Sequence, residues 1–418
     1  MIAVHSAIDE TFRSLHVRNF RLFFAGQSIS QIGNWINIVA QTLLVLRLTD
    51  SGLAVGLLAA CQFLPVLLFG AWAGLIADRS DKRTLLLAVQ SLAMLQSLVL
   101  SALAFMDRPP VPALYAVALA GGFATAFDNP ARRAFVAEMV PLDHVQNAVS
   151  LNSAMMTGSR VVGPALAGLL ISTVGFGWCF LLDGLSYIAV LVGLWRMRTD
   201  ELRPSVPTPR AKGQVRAGFR YARSIPELWV PLVMMALVGT FAFNFNVVMP
   251  LFVTRSLEGT DTTFTLVYSV VSLGSLAGAL YTARRKQTSV RDVVIGAAGF
   301  GVAMLVFAVS PGLAMAYPVA LLVGLTSIMF MTASTAIVQM RADPAMRGRV
   351  LALQAIVFLG TTPIGGPVLG FISEVYGARA GLAVGGVACL VAAAWGHATS
   401  RTTSRRQPEP GQAAVNVS

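Results

Sequence analysis

The chain has 418 residues, of which 56% are hydrophobic and only 12% charged, and its mean hydropathy is +0.70. A soluble domain carries about a quarter charged residues, so this composition excludes a soluble globular protein. The formal net charge of +12 raises the question of nucleic acid, and the placement of the cations answers it.

Apolar runs of about 20 residues, enough for a helix to cross a bilayer core, recur along the chain. They predict twelve spans, at 22–46, 53–77, 84–106, 112–128, 149–173, 178–196, 228–253, 263–283, 292–310, 313–338, 350–373 and 380–397. With the N-terminus in the cytoplasm, 26 of the 31 Lys/Arg fall in cytoplasmic segments or at their edges; Arg47, Arg108, Arg255 and Arg379 fall outside, and Arg160 lies within a span. This positive-inside pattern predicts that both termini are cytoplasmic. The basic charge then reads as topology, not as a nucleic-acid surface. The first apolar segment is long and carries Gln and Asn, unlike a cleaved signal sequence, and is expected to stay as span 1. Cys61, Cys179 and Cys389 fall in three different spans and imply no disulfide framework. His5, His16, His144 and His397 form no metal-ligand cluster, so neither a metal nor another cofactor is expected.

Between spans 2 and 3 stands Gly74-Leu75-Ile76-Ala77-Asp78-Arg79-Ser80-Asp81-Lys82-Arg83, with five charges packed between two uncharged runs. The chain also repeats itself weakly: Gly163-Pro164 with Gly168 recurs as Gly366-Pro367 with Gly370, Pro141 matches Pro344, and Gly74 matches Gly278. Markers at nearly equal offsets predict internal duplication. The predicted organisation is a six-helix bundle over 1–197, a linker over 198–226, a second bundle over 227–398 and a disordered tail over 399–418. Gln214 to Arg223 within the linker suits a short basic helix at the membrane surface.

The stretch from Gly74 to Arg83 resembles motif A of the major facilitator superfamily, with Asp81 where Gly is usual; Asp tolerates left-handed backbone better than most residues. The segments "AFDNPARRAFVAEMVP" and "SRVVGPALAGLLI" resemble the branch of macrolide-efflux and siderophore-export proteins. The resemblance implies an all-α membrane protein with twelve transmembrane helices in two pseudo-symmetric six-helix bundles. The span-4 Arg typical of many drug–proton antiporters is absent. In a two-bundle fold, Asp78 can approach the positive end of span 11 from the opposite half and latch the cytoplasmic side. Arg79, Lys82 and Arg83 would also set topology, and the alternative is that the whole motif is only an anchor. The second-half copy has Thr282 where Asp78 stands, which makes the latch one-sided.

Span 1 carries Gln27, Ser30, Gln31, Asn34, Asn37 and Gln41, mostly along one helix face that lipid cannot satisfy. In the resembled superfamily, spans 1, 4, 7 and 10 line the central cavity. The face therefore reads either as a cavity wall or as helix–helix hydrogen bonding. Span 7 adds Thr240, Asn244 and Asn246 beside Phe241, Phe243 and Phe245, a mixture that suits a large amphipathic ligand or simple packing. Intramembrane charge marks function by default. Arg160 lies roughly 16 Å into span 5, Asp183 lies at comparable depth in span 6, and Asp128 closes span 4. These three are candidates for charge coupling, with Asp183, or Asp128 if Arg160 snorkels, as a structural partner for Arg160. Gly163, Pro164 and Gly168 form a packing motif, which in related antiporters is linked to the direction of transport.

No phosphate-binding loop and no nucleophile–base constellation is present, so ATP coupling and enzyme catalysis are not expected. The leading expectation is a monomeric, proton-driven exporter of amphipathic small molecules in the cell membrane, working by alternating access. A dedicated exporter of a siderophore or lipid-like metabolite is the alternative within transport. A non-transporting membrane sensor is the alternative outside it.

Overall fold

A computed structural model describes residues 10–203, 214–285 and 288–404. Among them there is no strand, and twelve helices are long and apolar enough to cross a membrane. Lipid offers no partner to an unpaired N–H or C=O, so a lone spanning segment must close its hydrogen bonds within itself as a helix. Spans 1 to 6 are Arg18–Thr49, Gly52–Arg79, Lys82–Ala104, Val111–Glu138, Val145–Thr173 and Phe176–Trp195. Spans 7 to 12 are Pro226–Ser256, Asp261–Ala283, Val290–Ala308, Leu313–Arg341, Met346–Val375 and Ala378–Ser404. Large apolar side chains such as Leu68, Trp72, Leu95 and Leu169 stay exposed on the outer surface, as a lipid-facing girdle requires.

The two halves repeat one packing plan. Span 2 packs on span 4, span 3 on spans 4 and 6, and span 1 on span 6; correspondingly, span 8 packs on span 10, span 9 on spans 10 and 12, and span 7 on span 12. The halves meet along two seams, span 2 with span 11 and span 5 with span 8. One end of the molecule carries the motif residues 79–83, the segment 196–203 and the start of span 11; it is called the basic end below. A large apolar core runs through the second half and into the Ile36–Leu46 and Val55–Leu58 stretches of the first. Phe20, Phe23, Leu86, Phe135 and Leu194 form a separate cluster at the basic end of the first half.

Three expectations are revised. Span 4 does not close at Asp128 but continues as helix to Glu138, carrying Arg132 within it. The charges are tolerated because Arg132 pairs with Asp128 one turn earlier, at 3.0 Å. Span 7 is broken: helix ends at Phe241, restarts at Phe245 and finishes in a wider π-type turn, Phe252–Ser256. Span 12 stays helical to Ser404, into the segment expected as tail, while 405–418 lie outside the described residues. The linker helix Gln214–Ser224 exists, and it packs against the start of span 11: the Tyr221 hydroxyl accepts from Asp343 N–H at 2.9 Å and Gly218 abuts Arg349. Residues 204–213 of the expected linker lie outside the described residues.

Candidate functional site

The site is framed by the two seams, and small residues set how closely they close. Gly56 lies so near span 11 that a Cβ there would sit 2.5 Å from the Gly366 carbonyl oxygen, and Gly370 abuts Gly52. In the other seam Gly168 abuts Thr265 of span 8, while Gly163 takes the side chain of Trp35 from span 1. The repeated Gly-Pro motif, Pro164 and Pro367 included, thus occupies equivalent seams in the two halves. By contrast, a Cβ on Gly74, at the basic end of span 2, would meet nothing within 4 Å. Close approach in this seam runs from Gly52 to Leu67, which meets Gly360, and Gly74 beyond it makes none.

Polar contacts repeat this asymmetry. At the end opposite the motif, Arg255 of span 7 pairs with Asp50 at 2.8 Å, and Arg47 pairs with Asp261 of span 8. Glu374, at the close of span 11, accepts from Ser51 Oγ at 2.5 Å and from Leu53 N–H at 3.0 Å. It thereby satisfies orphan donors at the positive start of span 2. At the basic end, Asp78 and Arg79 are exposed, and among the described residues Asp78 has no ion-pair or hydrogen-bond partner. The register that sets Gly52 against Gly370 and Gly56 against Gly366 advances four residues along span 2 for each four back along span 11. Toward the basic end Leu67 meets Gly360, where span 11 breaks before Thr362, and the first helix of span 11, which begins at Pro344, lies on the Asp78 side of that break.

The rest of the motif stays within the first half. Lys82 Nζ lies 2.8 Å from Glu138 Oε1, both side chains being buried. Arg83 donates to the Leu194 and Trp195 carbonyls at 2.7 and 3.1 Å, capping the negative end of span 6. Asp81 is not left-handed, as tolerance for a missing Gly had suggested; its φ is −60° and it N-caps span 3 by accepting from Thr84 N–H at 2.6 Å. Its hydrogen bonds with Thr84 hold its carboxyl below the usual aspartate value. Thr282, the counterpart of Asp78, returns its hydroxyl to the Gly278 carbonyl at 3.0 Å.

The polar face of span 1 turns mostly into its own bundle. Gln27 and Gln31 are buried against each other. Gln62 donates to Gln41 (2.9 Å), Gln41 to Asn37 (2.8 Å), and Asn37 to Asp183 Oδ2 (2.7 Å). Ser97 Oγ also donates to Asp183 Oδ2, at 2.6 Å. Asp183 is 0% exposed and its Oδ1 has no partner. Asn34 alone among the candidate amides of span 1 is half-buried with no partner among the described residues. In span 7, Asn244 donates to the Thr240 carbonyl at 2.7 Å, satisfying a backbone acceptor freed by the break. Phe245 belongs to a ring cluster with Phe243, Phe300 and Phe358, while Phe241 packs on the same core. Thr240 borders an apolar groove of about 480 Å³ with Val391 and Trp395, between spans 7 and 12 rather than between the halves.

Arg160 does not pair with Asp183 or Asp128. Asp183 faces spans 1 and 3; Asp128 binds Arg132 and accepts from Gln90 at 2.7 Å. Depth fixes only one of the two coordinates of a helical residue, and these acids point away around the helix axis. The Arg160 guanidinium instead lies over the Trp35 ring, 5.0 Å from its centroid, and Trp35 neighbours Tyr268 of the other half at 6.1 Å. Arg160 is exposed and has no hydrogen-bond or ion-pair partner among the described residues. A cation–π contact supplies about 0.5–2 kcal/mol. Insertion scales assign an arginine at mid-depth a cost of roughly 2.5–3.5 kcal/mol, so the contact alone leaves a deficit.

A family model for transmembrane secretion effectors matches residues 10–409. The chain is 22% identical to the staphyloferrin A transporter of Staphylococcus aureus, over 85% of this chain and 90% of that protein. It is 23% identical to macrolide efflux protein A of Streptococcus pyogenes (83% and 87%) and 23% identical to an enterobactin exporter of Citrobacter koseri (89% of each). Its fold superposes on a bacterial homologue of the human lysosomal transporter Spinster, solved inward-facing and unoccupied, with TM-score 0.73, 15% identity, and coverage of 94% of this chain and 98% of that one.

Proposed function

Since the chain belongs to the transmembrane secretion effectors of the major facilitator superfamily, multi-pass transporters and not enzymes, we propose that it exports amphipathic small molecules in exchange for protons by alternating access. The observation that carries this reading is the asymmetry of the seams: closed by Asp50–Arg255, Arg47–Asp261 and Glu374 at one end, open around Gly74 and Asp78 at the other. The basic end is cytoplasmic by the positive-inside rule, with both termini on that side of the bacterial cell membrane. The state described is then open to the cytoplasm, ready to load cargo for export. Rocking of the halves would bring Asp78 to the start of span 11 and release Glu374 from the start of span 2.

Asp183 is the proton carrier in this reading. An ionised carboxylate buried without a cation costs several kcal/mol, so it holds a proton until an opposing movement hydrates it. The chain works as a monomer on small-molecule cargo, without nucleic acid. A dedicated siderophore cargo is the narrower alternative, favoured by the named cargos of the staphyloferrin and enterobactin relatives.

Everted membrane vesicles test the proposal. A macrolide, a siderophore and a fluorescent amphipathic dye are offered with and without an acid-inside pH gradient. At least one should accumulate several-fold over vesicles lacking the protein, and a protonophore should abolish the accumulation. Uptake indifferent to the gradient would remove proton coupling. No uptake of any compound by folded protein would favour a sensor.

A further inference from the structure

Arg160, Trp35 and Tyr268 stand together at the seam between the halves, and no acid among the described residues pairs with Arg160. We propose that they form a subsite for a cargo that carries a carboxylate beside a planar ring. The inference rests on the exporter reading and names the chemistry of its cargo.

The geometry supplies both parts. A guanidinium lying over an indole keeps its N–H donors in its own plane, so its edge remains free for a bidentate carboxylate. Trp35 is half-buried, and its ring borders Tyr268, itself buried; the tilt between the two rings is 46°. That pair offers apolar face to a planar group next to the cation. The carboxylates of spans 4, 6 and 8 are committed elsewhere: Asp128 to Arg132, Asp183 to Asn37 and Ser97, and Asp261 at the start of span 8 to Arg47. In the open state water can solvate the Arg160 edge. When the halves close around the site, that water is expelled and the cation needs an anion. A cargo acid meets the need in the closed state more than in the open one, and a ligand shifts an equilibrium only through such a difference. Because Trp35 belongs to one half and Tyr268 to the other, a cargo held here touches both.

The probes are tritiated naphthylacetate and its neutral isostere naphthylacetamide. Their saturable binding is measured on the full chain in lipid nanodiscs, with empty nanodiscs subtracting partition into lipid. Wild type should bind the acid about tenfold tighter than the amide. Arg160→Gln should erase that preference while leaving amide binding within about twofold, and Arg160→Lys should restore part of it. Trp35→Leu should weaken both probes several-fold. Size-exclusion profiles confine the comparison to folded protein. Equal affinity for the two probes, no saturable acid binding, or a preference that survives Arg160→Gln would each overturn the subsite, and indifference to Trp35→Leu would overturn the ring contact. The binding measurement requires no transport: acid preference without flux of either probe in everted vesicles would leave the subsite standing and count against the exporter reading.

Discussion

Replacing Lys82 with methionine is expected to destabilise the first bundle by about 3–5 kcal/mol, the usual cost of removing one member of a buried ion pair. Lys82 Nζ and Glu138 Oε1 are 2.8 Å apart, with side-chain exposures of 5% and 7%. The pair ties the start of span 3 to the end of span 4. Methionine nearly keeps the lysine volume, so the loss reports charge and not a cavity. Adding Glu138→Leu removes the second member of the pair, and the double variant should recover part of the loss. Resistance to heating in detergent, read as the monodisperse fraction, measures both. A Lys82→Met variant as stable as the parent would return Lys82 to the role of topology anchor.

Asp183→Asn is expected to lower gradient-driven transport at least tenfold while leaving cargo exchange at equal pH within about twofold. The side chain keeps its shape but can neither gain nor lose a proton. Asn37 of span 1 and Ser97 of span 3 hold Oδ2, Gly33 of span 1 faces Oδ1, and Ser186 donates to the Asp183 carbonyl oxygen. Among the described residues no cation pairs with the carboxylate itself. Loss of both transport modes in proportion to folded protein would make Asp183 a structural hydrogen-bond acceptor and remove it from coupling.

The helices were legible because hydropathy and length decide whether a segment can cross lipid, and both are local. Rotation about a helix axis is not local. Arg160 and Asp183 matched in depth, yet one faces Trp35 at the seam and the other faces Asn37 inside the bundle. The glutamines of span 1 were legible as inward-facing, but not as a network ending on Asp183. The break in span 7 has neither Gly nor Pro between Phe241 and Phe245; its signals are the strand-like alternation of Phe241, Phe243 and Phe245 and Asn244 at the N-cap position of the restarted helix. The cations that violated the positive-inside count were informative for that reason: Arg47 and Arg255 join the halves, and Arg379 donates to the Ala308 and Ser310 carbonyls at 2.7 and 2.9 Å. Three of the four cations placed against topology have such contacts; Arg108 has none among the described residues.

The central claim is that the two ends of the seams open and close reciprocally. Pulsed electron-spin distances on a cysteine-free chain in nanodiscs test it with two label pairs: Leu75→Cys with Gly348→Cys at the basic end, and Leu48→Cys with Tyr376→Cys at the opposite end. Asp50→Ala combined with Glu374→Ala removes contacts that hold the opposite end shut. In that background the opposite-end distance should lengthen and the basic-end distance should shorten, in the same fraction of molecules. Lengthening at the opposite end with the basic end unchanged would contradict alternating access by rocking halves.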